Sequence, residues 1–122
     1  MIIYVLSQTE RLRTKFALLA DRAGTEHRVV LLQTIEEARS VFTDACLQPL
    51  LVDISTDTSA MMVIAKTLRE EAEQAGKPYR QCIAGSLSVE PAMIQETRLH
   101  HIDIIVPMYK FEEIIKHLLE TL

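Results

Sequence analysis

Short unbroken apolar runs alternate with longer segments of helical spacing, and this alternation limits what the chain can fold into more than any other feature. Met1 to Leu6 is the first such run, ended by Ser7-Gln8-Thr9. A short continuous run of this kind suits a strand buried on both faces. Leu12, Phe16, Leu19 and Ala20 then recur at helical spacing, with Thr9 as N-cap and Gly24 as the stop. Val29 to Leu32 is the second strand. Thr34 with Glu37 three residues on forms a capping box that opens a helix through Ala38, Val41 and Phe42. After Pro49 comes the third strand, Leu50 to Ile54. A helix over about 60–75 carries Met62, Ala65 and Leu68 on one seam and ends at Gly76-Lys77-Pro78. Gln81 to Gly85 is the fourth strand. Pro91 opens a helix bearing Met93, Ile94 and Leu99. Ile102 to Val106 is the fifth strand, and Phe111 to Leu122 is an amphipathic closing helix.

Strand and helix in strict alternation predict one parallel α/β sheet covered on both faces, because every parallel connection needs a crossover. The 122 residues fit a single domain, 1–122. Ligands of such sheets sit beyond the carboxyl ends of the strands, so Ser7, Gln8, Asp53, Ser55, Ser86 and Pro107 mark the candidate site.

Several function classes are disfavoured by what the chain lacks. Lys and Arg are scattered at a formal charge of -4, so no direct nucleic-acid contact is expected. Arg69-Glu70-Glu71-Ala72-Glu73 reads as a solvated helix face. No apolar run reaches membrane-spanning length, and Met1 leads into a strand without a signal-peptide pattern, so the cytoplasm is expected. Cys46 and Cys82 lack metal-ligand spacing and read as reduced core thiols. His100-His101, His27 and His117 form no ligand set, so no metal centre is expected. Gly24, Gly76 and Gly85 are isolated and make no phosphate loop, and no nucleophile–base constellation emerges, so an enzyme is not expected.

Element order, together with Leu51-Val52-Asp53-Ile54 and the closing Ile105-Val106-Pro107-Met108-Tyr109…Glu112-Glu113-Ile114-Ile115, resembles the receiver domain of two-component response regulators. That resemblance implies a flavodoxin-like, doubly wound five-stranded parallel sheet. It also puts Asp53 at the family's phospho-acceptor position. In the family, acids after the first strand help hold magnesium. Here the corresponding places are Ser7 and Gln8, and Asp57 is the one other nearby carboxylate, a degenerate acid pocket. The switch hydroxyl falls on Ser86, the family's lysine on Pro107 and its switch aromatic on Ile104. Lys110, three residues beyond Pro107, is expected to face water. Phosphoryl transfer to a carboxylate builds negative charge that a metal and a cation must offset, so magnesium binding is expected to be weak at best. By its chemistry alone, Asp53 could equally accept hydrogen bonds from the following loop or cap the next helix.

The resulting expectation is an atypical receiver, a pseudo-receiver, that signals through protein contacts without ordinary phosphorylation and without a cofactor. A protein partner or a linked output domain is implied. The family's contact surface corresponds to Ile94, Leu99, His101, Tyr109, Phe111, Ile115 and Leu118, with Tyr109, Phe111 and Ile115 foremost. Homodimerisation is carried as an expectation because symmetric pairing is the commonest association. One alternative is a phosphorylatable receiver using Asp53. Another is a regulator similar to the anti-sigma-antagonist family, with Ser59 in Asp57-Thr58-Ser59-Ala60 as the modified hydroxyl. That family opens on a strand hairpin, whereas this chain reads strand-helix-strand-helix.

Overall fold

The computed structural model describes residues 2–9, 28–41, 48–77 and 81–120. The strands are β1 (Ile2–Leu6), β2 (Arg28–Leu32), β3 (Leu50–Asp53), β4 (Cys82–Ser86) and β5 (Ile104–Pro107). The helices among the described residues are α1 (Ile35–Val41), α2 (Thr58–Gln74), α3 (Pro91–Leu99) and α4 (Met108–Glu120). The helix expected around Leu12 to Ala20, with Gly24, lies outside the described residues, as do Phe42, Cys46 and His27.

Among the described residues all strand pairings are parallel, in the order β2-β1-β3-β4-β5. This is the doubly wound sheet expected from the alternation. The first two described strands pair in parallel, unlike the opening hairpin of the antagonist-type alternative.

Side chains alternate between the two sheet faces along each strand. Leu6, Val52, Ile54, Cys82 and Ala84 face one way and pack with Met61, Met62, Ala65 and Ala38. Ile3, Val5, Leu51 and Ile83 face the other way and pack with Phe111, Ile115 and Leu119 of α4. Phe111 and Ile115 are both fully buried, which corrects their expected place on a partner surface. The amphipathic stripe of α4 turns them onto the sheet, and Tyr109 is left on the solvent side at 62% exposure.

The expected capping box at α1 is formed: the Glu37 N–H donates to Thr34 Oγ1 at 3.2 Å. Several boundaries differ from the sequence reading by one to three residues, and two of them bear on the site. β5 starts at Ile104 rather than Ile102, because Ile102 belongs to the end of α3, its N–H donating to the Thr97 carbonyl at 3.0 Å. Helix α4 starts at Met108 rather than Phe111, directly after Pro107.

Candidate functional site

Parallel register decides which strand-end residues can meet. Asp53 pairs with Gly85, and Gly85 with Val106. Leu6 pairs with Val52, so Ser7 stands level with Asp53 on the other side. Ser7, Asp53, Gly85 and Val106 thus form one row across four strands, on the face that α4 covers. Ser86 and Pro107 pair with each other one step further on, facing the opposite way. The residues that share the row and the face of Asp53 are thus Gly85 and Val106, while Ser86 and Pro107, the expected switch-hydroxyl and lysine positions, lie one step on and on the other face. A one-residue offset in a strand exchanges its faces. Neither Gly85 nor Val106 supplies a hydroxyl or a charge.

Asp53 is 0% exposed and both its oxygens are engaged. Ser7 Oγ donates to Oδ2 at 2.8 Å. On the loop side, the Ser55 N–H and hydroxyl both donate to Oδ1, at 2.9 and 2.6 Å. The first of these closes an Asx-turn, the local bond by which an aspartate organises the chain two residues on. Ser7 Oγ in turn accepts from the Thr9 N–H at 3.2 Å. A buried carboxylate is tolerated only with such donors around it.

The other expected pocket members point elsewhere. The Gln8 amide donates to the Gln33 carbonyl, tying down the β1 and β2 ends. Asp57 is exposed, in the left-handed region at φ 49°, and precedes α2 without a side-chain capping bond. Ser86 is buried, and its Oγ accepts from the Ser88 N–H at 3.2 Å to shape the β4–α3 loop. Lys110 is exposed, and Ile104 lies on the edge strand at 38% exposure.

The donor set is a poor match for a magnesium ion, which takes hard oxygens and usually more than one carboxylate. The row contains a single carboxylate, whose oxygens already accept three protein donors. No group of three or more His, Cys, Asp or Glu among the described residues could hold a metal. His100 Nδ1 lies 2.9 Å from the Glu96 carbonyl, at the amino-terminal end of β5 and away from Asp53. Burial pushes the Cys82 thiol up to about 12, so it is an inert core group.

The sequence reading missed the two row members Gly85 and Val106. An isolated glycine carries no signal of its own; only β-strand alternation counted back from Pro107 would have found them. Ser55 was visible as a strand-end residue, but its double bond to Asp53 depends on the loop geometry.

No protein-family model matches the chain, and no curated protein matches it in sequence. Solved structures do resemble it. A response regulator from Thermotoga maritima superposes with a TM-score of 0.61 at 12% identity, over 99% of this chain and 98% of that one. A response regulator receiver protein from Pseudoalteromonas atlantica gives 0.60 at 12% identity, over 99% and 92%. A Burkholderia thailandensis protein provisionally assigned to pilus assembly gives 0.62 at 17% identity, over 96% of each chain. At these identities the likeness is one of architecture, and the architecture of this chain is the flavodoxin-like receiver fold.

Proposed function

We propose that this chain is an atypical receiver-type signalling domain, acting through protein–protein contacts without ordinary magnesium-dependent phosphorylation of Asp53. The observation that carries the reading is the row Ser7–Asp53–Gly85–Val106: one carboxylate, no second acid and no cation. Among the described residues, a phosphoryl group arriving at Asp53 would find no cation in this row to offset its charge. It would also have to displace Ser55, whose two donors cover Oδ1.

The contact surface in this reading lies at the β5 edge of the sheet. Leu99 of α3, Ile104 of β5 and Tyr109 of α4 are exposed at 63%, 38% and 62%. Large exposed apolar side chains of this kind favour a protein partner or a linked output domain.

The test is a set of amide NMR spectra recorded with magnesium and then with beryllofluoride, a phosphoryl mimic. The expected result is an unchanged spectrum. Shifts centred on Ser7, Asp53, Ser55 and Gly85 would overturn the reading and establish a phosphorylatable receiver.

A further inference from the structure

We propose that Gln48 sets the register between the two halves of the sheet and is thereby a positioning residue for the Ser7–Asp53 pair. The β1–β3 junction joins β2-β1 to β3-β4-β5 and is the shortest among the described strands. Its ladder holds two residue pairs, Val5–Leu51 and Leu6–Val52, against five between β1 and β2 and four at each of the other junctions. Apolar burial does not choose the register there. Leu50, Leu51 and Val52 are all buried, as are Val5 and Leu6, so a shifted pairing would still bury apolar side chains.

The choice falls to polar groups that are satisfied in one alignment alone, and such groups stand at both ends of the junction. At the carboxyl end, Ser7 Oγ donates to Asp53 Oδ2 at 2.8 Å. At the amino end, the Gln48 side-chain amide lies between Tyr4 of β1 and Pro49, the residue that leads into β3. Its Oε1 accepts from the Tyr4 N–H at 2.9 Å. Its Nε2 donates to the Tyr4 carbonyl at 2.8 Å and to the Pro49 carbonyl at 3.2 Å. The amide thus behaves as an inserted peptide group, with its oxygen and its NH2 both engaged by backbone. This arrangement holds Tyr4 beside the chain entering β3, the alignment that sets Leu6 against Val52 and Ser7 level with Asp53. A slip of one residue would carry the Tyr4 backbone groups about 3.3 Å along the strand, away from the amide. It would also turn Asp53 to the face opposite Ser7. The Ser7–Asp53 pair needs this alignment whether or not Asp53 takes a phosphoryl group, so the role of Gln48 goes beyond the signalling reading above.

The experiment records amide hydrogen exchange and amide spectra of the full chain for Gln48→Leu and Gln48→Glu beside the wild type, with neither magnesium nor a phosphoryl mimic. Gln48→Leu keeps an apolar stem and removes all three bonds. Exchange at Tyr4 should rise about tenfold, the equivalent of one net hydrogen bond. The amide of Ser55, which donates to Asp53, should shift at the same time. Unchanged exchange at Tyr4 would overturn the proposal, and so would faster exchange at Tyr4 with Ser55 unmoved, which would make Gln48 a local tie only. Gln48→Glu supplies the rescue. Its ionised carboxylate has no donor for the Tyr4 carbonyl, whereas its protonated form has one donor and one acceptor. Tyr4 exchange and the Ser55 position should therefore return toward those of the wild type at the same pH as the introduced carboxyl becomes protonated. No return on acidification would overturn the positioning role, and this result decides the matter even if Gln48→Leu fails to fold.

Discussion

Asp53 sits at the end of a strand buried on both faces, and its three donors are what make that position tolerable. Asp53→Ala should cost about 1–3 kcal/mol in urea denaturation, because the buried Ser7 hydroxyl loses its acceptor. Part of this was legible, since an aspartate after Leu51-Val52 reads as a loop organiser in any parallel sheet. His101 shows the reverse case. It occupies the left-handed region at φ 60°, where α3 ends with the His101 N–H donating to the Arg98 carbonyl and the Ile102 N–H to Thr97. Gly76 takes the corresponding place after α2 at φ 65°. Glycine adopts that conformation without the Cβ clash that histidine bears. His101→Gly should therefore raise stability by about 1 kcal/mol, read from the denaturation midpoint. Nothing in the spacing of His100-His101 announced a left-handed residue, because the strain arises from where the chain must turn to begin β5.

Among the elements, the helix starts at Thr34 and Pro91 were readable because their signals are local: a hydroxyl that caps, a ring that presets φ. The β5 and α4 starts were not, because both depend on how α3 ends. Helices α1 and α2 are joined across their surface by Arg39 and Glu71, with Arg39 Nε donating to both carboxylate oxygens at 3.1 Å. That hydrogen bond holds the Glu71 carboxyl below its ordinary value of 4.5. Its contribution to stability is present above the unfolded-state value and is lost as pH falls through the lower folded-state value. Both groups are solvent-exposed, so Glu71→Gln should leave the denaturation midpoint at neutral pH within error and should flatten only the acid limb. Gly85→Ala belongs to a different category. Overpacking against Phe111 should cost about 1–3 kcal/mol, with the loss visible in thermal unfolding.

For the whole molecule, the β5 edge is the surface whose function can be tested without knowing the partner. Tyr109→Ser and Leu99→Ser should leave the unfolding midpoint unchanged, because both side chains already face water. Light scattering across a concentration series would show whether that edge pairs two copies. Self-association that is lost in both variants identifies the occupant as a second copy, and a monomer throughout leaves a different protein as the partner.

Sheet architecture followed from the sequence alone, because apolar runs and helical spacing are local patterns and a parallel crossover admits few topologies. The same local patterns located Asp53 at the end of the third strand and Ser7 and Gln8 after the first. Tertiary structure decided what meets Asp53. Register across β3, β4 and β5 is a non-local property, and one step along a strand exchanges its faces, so Gly85 and Val106 rather than Ser86 and Pro107 share the face of Asp53. The division of α4 into Phe111 and Ile115 inside and Tyr109 outside was likewise settled by which face of the helix the sheet claims.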